Sequence, residues 1–270
     1  MNLKLNELIV LIKGAGEVGS AVAHKLALSG CKVCLTETNF PMAVHRGTAY
    51  CEAIYDGEKE VEGIVAEFVS SPEQIYEVWA KNKIAVIVDP EARVKDFLHP
   101  HVLIDAIMAK RNTGTKINDA PLVIGLGPGF RVNRDVHVIV ETNHSENLGR
   151  VITEGEAERD TRVPLSVGGL TFERVLNAPS DGRFISLKNI GDSVSQGETV
   201  ALLGDKPIEA KIGGIVRGLL RNNTEVKAGV KVGEIDSVNK PEICYKIRDK
   251  LIVIADGVLK AILLYNNAPV

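Results

Sequence analysis

Six residues near the start of the chain have a spacing with a chemical meaning. Gly14-Ala15-Gly16-Glu17-Val18-Gly19 reads G-x-G-x-x-G. In such a loop the first glycine permits a tight turn, the second lets the backbone approach a pyrophosphate, and the third allows close helix-to-strand packing. The backbone around Gly16, Glu17 and Val18 then meets an anion at a helix N-terminus. Glu37 lies about 20 positions further on, where a carboxylate accepts from a ribose hydroxyl and disfavours a 2′-phosphate. The chemistry expected is binding of a nucleotide-bearing ligand. No G-x-S-x-G elbow, HExxH or Walker loop occurs, so the sequence nominates no nucleophile and leaves the catalytic residues unknown.

A second cluster, Gly125-Leu126-Gly127-Pro128-Gly129-Phe130, closes another apolar run. It reads either as a nest of N–H groups for an anion, with Pro128 removing one donor, or as a tight structural turn. The helix-like stretch Ala106 to Arg111 is expected to deliver Lys110 and Arg111 near the Thr113-Gly114-Thr115-Lys116 loop, to clamp a phosphate or carboxylate or to solvate a helix end. Glu37, Asp89, Asp105 and Glu141 each end a buried-looking strand, the edge at which an open parallel sheet binds ligands. Asp89-Pro90-Glu91 reads more readily as a helix cap. Cys31-Lys32-Val33-Cys34 spells CxxC, but on a strand the two thiols point to opposite faces and cannot readily share a metal. His99-Pro100-His101 lacks a third ligand and reads as loop histidines. No metal is expected.

The elements that must hold these residues follow from the apolar pattern. Leu8 to Lys13, Lys32 to Glu37, Ile64 to Val69, Ile84 to Asp89, Val102 to Asp105, Leu122 to Gly125 and Val136 to Glu141 are short apolar runs of the kind that form a parallel sheet buried on both faces. Helices are expected over Val18 to Ser29, over Pro72 to Lys81 with serines capping at Ser70-Ser71, and over Ala106 to Arg111. Past about Gly168 short strands alternate with Gly, Asp and Asn turns, an all-β texture. The last segment, Lys246 to Tyr265, is expected to close back by strand pairing.

The chain has 270 residues, 45% hydrophobic, 25% charged and 4% aromatic, with 32 basic against 35 acidic residues and a net charge of −3. Few aromatics and no basic excess exclude a generic nucleic-acid binder. No apolar run approaches the length of a membrane helix and no leader sequence is evident, so a cytoplasmic protein is expected. Four cysteines are too few for a disulfide scaffold.

Within the β-rich part, Ala178-Pro179-Ser180-Asp181-Gly182-Arg183-Phe184 with Gly191 to Gly197 is echoed by Ala210 to Val216 with Asn223 to Gly229, about 32 residues on. This repeat resembles the barrel-sandwich hybrid domain of biotinyl and lipoyl carriers. Gly204-Asp205-Lys206-Pro207 leaves only a tight turn where a carrier presents its lysine, and Lys211 stands where the second-half proline belongs. Neither biotin nor lipoate is expected.

Longer strings resemble one family over nearly the whole chain. Val88-Asp89-Pro90, Asp105 to Asn112, Ala120 to Phe130, Asp135-Val136-His137, Glu141-Thr142, Leu148 to Ile152, Glu173 to Leu176 and Asp249-Lys250 are similar to the YqeB-type family of selenium-dependent molybdenum hydroxylase systems. The resemblance implies an accessory role in maturing such a hydroxylase, with the hydroxylase or its maturation factors as partners. The sequence departs from the family pattern at His99 and His101, at Asp160-Thr161-Arg162 and at Ala255-Asp256-Gly257.

The expected fold is α/β: a Rossmann-like, mainly parallel sheet domain over 1–167, followed by a small all-β barrel-sandwich domain with C-terminal strands over 168–270. The expected function is that of an accessory protein binding a dinucleotide such as NAD, or a molybdopterin dinucleotide. Gly14, Gly16 and Gly19 would hold its phosphates and Glu37 its ribose. Asp105, Lys110, Arg111, Gly125, Gly127 and Gly129 would take a second anionic group. An NAD-dependent oxidoreductase and a protein-binding scaffold with a vestigial nucleotide domain are the alternatives, and a homo-oligomer fits any of the three.

Overall fold

The computed structural model describes residues 3–161, 163 and 166–266; Arg162, one of the departures named above, lies outside them. The chain forms two units. One comprises Met1–Pro41, Tyr50–Asp160 and Ile247–Val270, the other Met42–Ala49 and Thr161–Lys246. The single division expected between 167 and 168 is therefore corrected twice: a short excursion from the first half joins the second unit, and the chain's last segment returns to the first.

In the first unit the chain runs β1 (Ile9–Lys13), α1 (Glu17–Leu28), β2 (Lys32–Glu37), α2 (Ala53–Asp56), β3 (Glu58–Val61), β4 (Ile64–Val69), α3 (Gln74–Ala80), β5 (Ile84–Val88), α4 (Lys95–Leu98), β6 (Val102–Asp105), β7 (Leu122–Leu126), β8 (Val138–Val140), β9 (Val151–Ile152) and, after the second unit, α5 (Asp249–Asn266). The nine strands make one sheet in the order β3-β4-β5-β2-β1-β6-β7-β8-β9. It is parallel except at its edges, where β3 and β9 run antiparallel to their neighbours. Strand β1 has β2 on one side and β6 on the other. The chain thus winds outward one way, returns, and winds outward the other way, and the carboxyl ends of β1 and β6 border the reversal.

The central strands are apolar almost without interruption because both faces are covered. Leu11, Cys34, Ala85, Leu103 and Val123 share a cluster with Ile75, Val78 and Trp79 of α3, and the indole of Trp79 donates to Val33 O at 2.8 Å. Val10, Ile12, Val33, Leu35, Ile104 and Ile124, of opposite parity along their strands, are equally buried. Helix α5 lies against α1, β7 and β8. A Cβ on Gly257 would come within 2.2 Å of Gly149 O, so only glycine permits that approach. The strands expected over Lys246 to Tyr265 are therefore replaced by one helix whose Leu251, Ile254, Ala255, Val258, Ala261 and Ile262 are buried at helical spacing.

Two other expectations are corrected. Residues 106–121 contain no helix, and Met108 and Lys110 take left-handed φ values of 61° and 60°. The Asp105 carboxylate accepts the Ile107 N–H at 3.1 Å, an Asx turn that competes with helix initiation. At α3 the serine caps are absent; instead Gln74 Oε1 reaches back to accept the N–H groups of Ser70 and Ser71 at 2.9 and 3.2 Å.

Two histidines brace the amino ends of the strands. His101 and His137 each accept a neighbouring strand's N–H on Nδ1, from Ile9 and Val123, both at 3.0 Å. Each also donates its own N–H to that same residue's carbonyl. Burial holds the His137 pKa below its ordinary value, so the folded state favours the neutral acceptor. Its contribution to stability is present above the unfolded pKa of about 6.5 and is lost as pH falls through the folded value. The melting temperature should therefore drop between pH 7 and 5, and His137→Asn, which keeps an uncharged acceptor, should flatten that slope. An unchanged slope in the variant would show that His137 is not the titrating group.

The second unit holds β10 (Val175–Asn177), β11 (Gly182–Ser186), β12 (Ser193–Val194), β13 (Thr199–Leu203), β14 (Lys206–Glu209), β15 (Gly214–Leu219), β16 (Thr224–Val226) and β17 (Lys231–Asp236). They form two antiparallel sheets, β10-β17-β15-β12 and β14-β13-β11-β16. Exchanging β10–β13 for β14–β17 in order converts one sheet into the other. The repeated turns match in conformation: φ is 151° at Gly182 and 155° at Gly214, 83° at Gly197 and 81° at Gly229. One core serves both sheets, with Phe184, Val200 and Leu203 meeting Val216, Leu219, Val232 and Ile235. Leu203 pairs Lys206 across the Gly204-Asp205 turn.

The excursion is fastened to this unit by backbone and side chain. Leu219 N–H donates to Val44 O and Arg46 Nε to Leu219 O, each at 2.8 Å. His45 Nε2 meets Glu234 at 3.1 Å. Glu234 also pairs with buried Arg174 at 2.5 Å, and Asp236 with Arg217 at 2.9 Å, so each buried acid faces a cation.

Candidate functional site

The three glycines of the first motif do different work. Gly14 turns with φ at 95° and donates to Thr36 O at 2.9 Å; a Cβ there would stand 2.9 Å from Ala106 O. A Cβ on Gly19 would stand 2.0 Å from Gly14 O, while one on Gly16 would meet nothing within 4 Å. Two glycines therefore close the loop onto the protein and the middle one faces open space. Beneath it, Ala15 O accepts from Ser20 Oγ and Cys51 N–H, both at 2.9 Å, and Ser20 Oγ accepts from Tyr50 N–H at 2.7 Å. Val18 is half-buried in the first turn of α1.

Glu37, at the carboxyl end of β2, is half-buried and bound to the same loop. Its Oε2 accepts from Ala15 N–H at 2.9 Å and its Oε1 from Thr38 N–H at 2.7 Å. The carboxylate thus orients the glycine loop directly, a link the sequence motif does not reveal. Glu17, the first residue of α1, pairs with Arg248 at 3.1 Å, and Lys25 pairs with Asp256 at 2.6 Å. Equal steps along both helices mean that α5 runs parallel to α1, with its N-terminus beside the glycine loop.

Asp105 is placed where the sequence puts it, at the carboxyl end of β6, but it is buried and engaged. Thr115 Oγ1 donates to it at 2.5 Å and Lys13 Nζ stands 3.4 Å away, itself donating to Thr115 Oγ1 at 2.6 Å. All three side chains are 6% exposed or less. Lys13 and Thr115 escaped the sequence reading. A signal existed, since Lys13 closes a run of five apolar residues immediately before Gly14, a place where an unpaired ammonium would be prohibitive.

The second glycine cluster packs tightly. Cβ atoms would stand 2.5 Å from the Phe130 ring at Gly125, 2.2 Å from Thr142 Oγ1 at Gly127 and 2.6 Å from Arg111 N at Gly129. Gly127 N–H donates to Val140 O at 2.9 Å. The cluster therefore does meet the Lys110–Arg111 backbone, as expected, but through close packing. Lys110 pairs with Asp160 at 2.5 Å, and Arg111 is exposed.

The remaining acids serve local structure. Asp89 accepts the Val94 N–H at 2.7 Å, within the turn that leads to α4. Glu141 accepts the N–H groups of Thr142, Asn143 and Glu158, each at 2.8 Å. Hydrogen bonds from Asn147, Ser145 and Asn143 hold the Glu158 carboxyl below its usual range. Glu141 and Glu158 line a pocket of about 390 Å³ with Asn147, Arg150, Glu154 and Glu156. Burial pushes the Cys31 thiol up to about 11 and also raises Cys34 and Cys51 well above the ordinary thiol range, which leaves all three as unreactive thiols at neutral pH. Among the described residues no group of three or more His, Cys, Asp or Glu could hold a metal ion, and no helix is long and apolar enough to cross a membrane.

Over 256 residues, 95% of the chain, the sequence is 38% identical to a curated protein of Escherichia coli K12, "Uncharacterized protein YqeB". That identity supports the YqeB-type resemblance. The chain spans 47% of this relative's length, about half of it. No family model matches. Among solved structures, TcdA (CsdL) is 13% identical, with 98% of this chain and 90% of that one covered and a TM-score of 0.35. An aspartoacylase family protein from Mesorhizobium loti is 11% identical, with 84% of each chain covered and a TM-score of 0.28. The ectoine utilization protein EutE (DoeB) from Ruegeria pomeroyi is 12% identical, with 84% and 85% covered and a TM-score of 0.25. Scores this low carry neither fold nor function across.

Proposed function

We propose that this protein is an accessory factor of a selenium-dependent molybdenum hydroxylase system, and that its first unit is a Rossmann-like domain binding a nucleotide-bearing ligand, a dinucleotide or molybdopterin dinucleotide. The observation that carries the nucleotide reading is Gly16: it sits at the N-cap of α1 with open space where a Cβ would be, at the reversal of winding beside β1. Ligands of open α/β sheets bind in that crevice. The half-buried Glu37 stands at the end of the adjacent strand, as ribose recognition requires. The system is assigned by the YqeB-type resemblance alone. The paired four-stranded sheets and their matched turns support reading the second unit as an unmodified barrel-sandwich domain, suited to docking the hydroxylase or its maturation factors.

The test is differential scanning fluorimetry with NAD, NADP, CDP, CTP and ATP, after native mass spectrometry of the freshly purified protein. One of these nucleotides should stabilise wild type, and Gly16→Val should abolish that shift. The variant should itself fold, because φ at Gly16 is −70° and its surroundings are open, so that its own stability changes by no more than about 1 kcal/mol. Unaltered nucleotide affinity in the variant would overturn the assignment. Hydride transfer to or from NAD with a hydroxylase-related substrate would move the protein to the oxidoreductase alternative.

A further inference from the structure

The crossover from β6 to β7 is 16 residues of irregular chain, 106–121, where an α/β crossover ordinarily carries a helix. It passes directly over the glycine loop: Ala106 O lies 2.9 Å, and Ile107 Cα 3.2 Å, from where a Gly14 Cβ would be, and the Ala106 Cβ is 3.4 Å from that of Gly19. Ile107 is 37% exposed. Met108 and Lys110 sit in the left-handed region that non-glycine residues rarely adopt, which stores backbone strain at each. The segment is held at its surface by the Lys110–Asp160 and Lys95–Asp119 ion pairs and at its far end by buried Ala120, and over the glycine loop by the buried side chain of Thr115. Asn112 folds a small turn, accepting the Thr115 N–H and donating to Thr115 O, both at 2.8 Å. That turn points the Thr115 hydroxyl down between Lys13 and Asp105, where it accepts from one at 2.6 Å and donates to the other at 2.5 Å.

We propose that residues 106–121 are a strap buttoned over the glycine-loop site by Thr115, and that its lifting presents the Lys13 ammonium to the anionic part of a ligand held there. Lys13 is the residue next to Gly14. With the strap down its charge is answered by Asp105 and Thr115 and is shut from solvent. With the strap up the Thr115 bond is gone, and an ammonium between the Asp105 carboxylate and the glycine loop gains from a phosphate what it lost from the hydroxyl. The strain at Met108 and Lys110 favours lifting; the Thr115 hydrogen bonds, the seat on Gly14, the Lys110–Asp160 pair and the packing of Gly129 on the Lys110–Arg111 backbone oppose it. The ligand role of Lys13 rests on the glycine-loop reading above, whereas the strap itself does not.

Two measurements on the full chain without nucleotide read the strap directly. In native-state hydrogen exchange of wild type, the amides of 107–116 should exchange through an opening that leaves the amides of β1 and β6 protected. Acylation by an N-hydroxysuccinimide ester, followed by mass spectrometry, should label Lys13 at least tenfold more slowly than exposed Lys116. Thr115→Val, which keeps the shape and removes both hydrogen bonds, should raise Lys13 labelling at least tenfold, and Thr115→Ser should restore protection. Inorganic pyrophosphate should then protect Lys13 in the valine variant in a saturable way. Exchange of 107–116 only on global unfolding, or equal Lys13 labelling in the valine and serine variants, would overturn the strap. Labelling that rises with Thr115→Val but ignores pyrophosphate would overturn the role of Lys13. A failure of the nucleotide reading would show separately, as wild type unmoved by every nucleotide while the strap still opens.

Discussion

Gly19→Ala should be among the most damaging single-methyl additions in this protein, lowering stability by about 3 kcal/mol. At the scaling for a domain of this size, that corresponds to a fall of roughly 6 to 12 °C in melting temperature. The reason is geometric. The new Cβ would lie 2.0 Å from Gly14 O, and the obstacle is backbone, which has no rotamer to change. Relief requires α1 to move away from the loop. Ser20 and Ala15 would move with it, and through them the hydrogen bonds to Tyr50 and Cys51 that anchor the loop from below. Gly16→Val is the matched control, because a larger side chain three residues away meets open space. The pair separates the two meanings of the same motif: Gly19 is required for the fold and Gly16 for whatever occupies the crevice. Thermal melts of both variants decide it, and a Gly19→Ala melt within 2 °C of wild type would refute the packing assigned to that glycine.

Legibility in the sequence followed the range of the forces involved. The strands at 32–37, 64–69 and 102–105 match the apolar runs residue for residue; burial on both faces keeps 33–35 and 102–104 free of polar residues, and in the more exposed 64–69 a single acid, Glu67, does not break the run. The repeat in the second unit was visible because its glycines need positive φ at matched places. Helix α5 was misread for an identifiable reason. Leu251-Ile252-Val253-Ile254 is β-prone by composition, yet the residues that pack recur at helical spacing, and tertiary packing prevailed over propensity. The missing helix after β6 is the converse: Ala106 to Arg111 suits a helix by composition, but the Asp105 side chain captures the Ile107 N–H and the Thr115 button holds the segment in another path. The glycine loop and Glu37 were legible as a site, whereas their bond through Ala15 was not. The position of Lys13 at the end of an apolar run hinted at a partner, but its pairing with Thr115 was not legible, because it spans about a hundred residues and obeys no local spacing. The excursion 42–49 has no periodic signal at all, and its place is set by contacts with Leu219 and Glu234.

Lys13→Met should cost about 3–5 kcal/mol, the price of leaving Asp105 in the interior without its cation. Asp105 is 2% exposed; with Lys13 gone it keeps the Thr115 hydroxyl and the Ile107 N–H, two neutral donors for a full charge. Removing both charges tells a different story. Lys13→Met with Asp105→Leu deletes the ion pair together with its desolvation penalty, and such replacements are often neutral or stabilising, so the double variant should recover at least half of the single variant's loss. Guanidinium unfolding of wild type, the two single variants and the double variant gives the coupling energy directly. A Lys13→Met variant within 1 kcal/mol of wild type would mean that water or a side-chain rearrangement already solvates Asp105, and the sealed Lys13–Asp105–Thr115 arrangement would be wrong. If instead the double variant is as stable as wild type, packing does not require the charged pair. The fold could then have closed the ends of β1 and β6 with two aliphatic side chains, as it closes their interiors with Leu11, Ile12, Leu103 and Ile104. Retaining an ammonium and a carboxylate at the one point where the sheet opens beside a glycine loop is then explained by what the pair does when the strap is up.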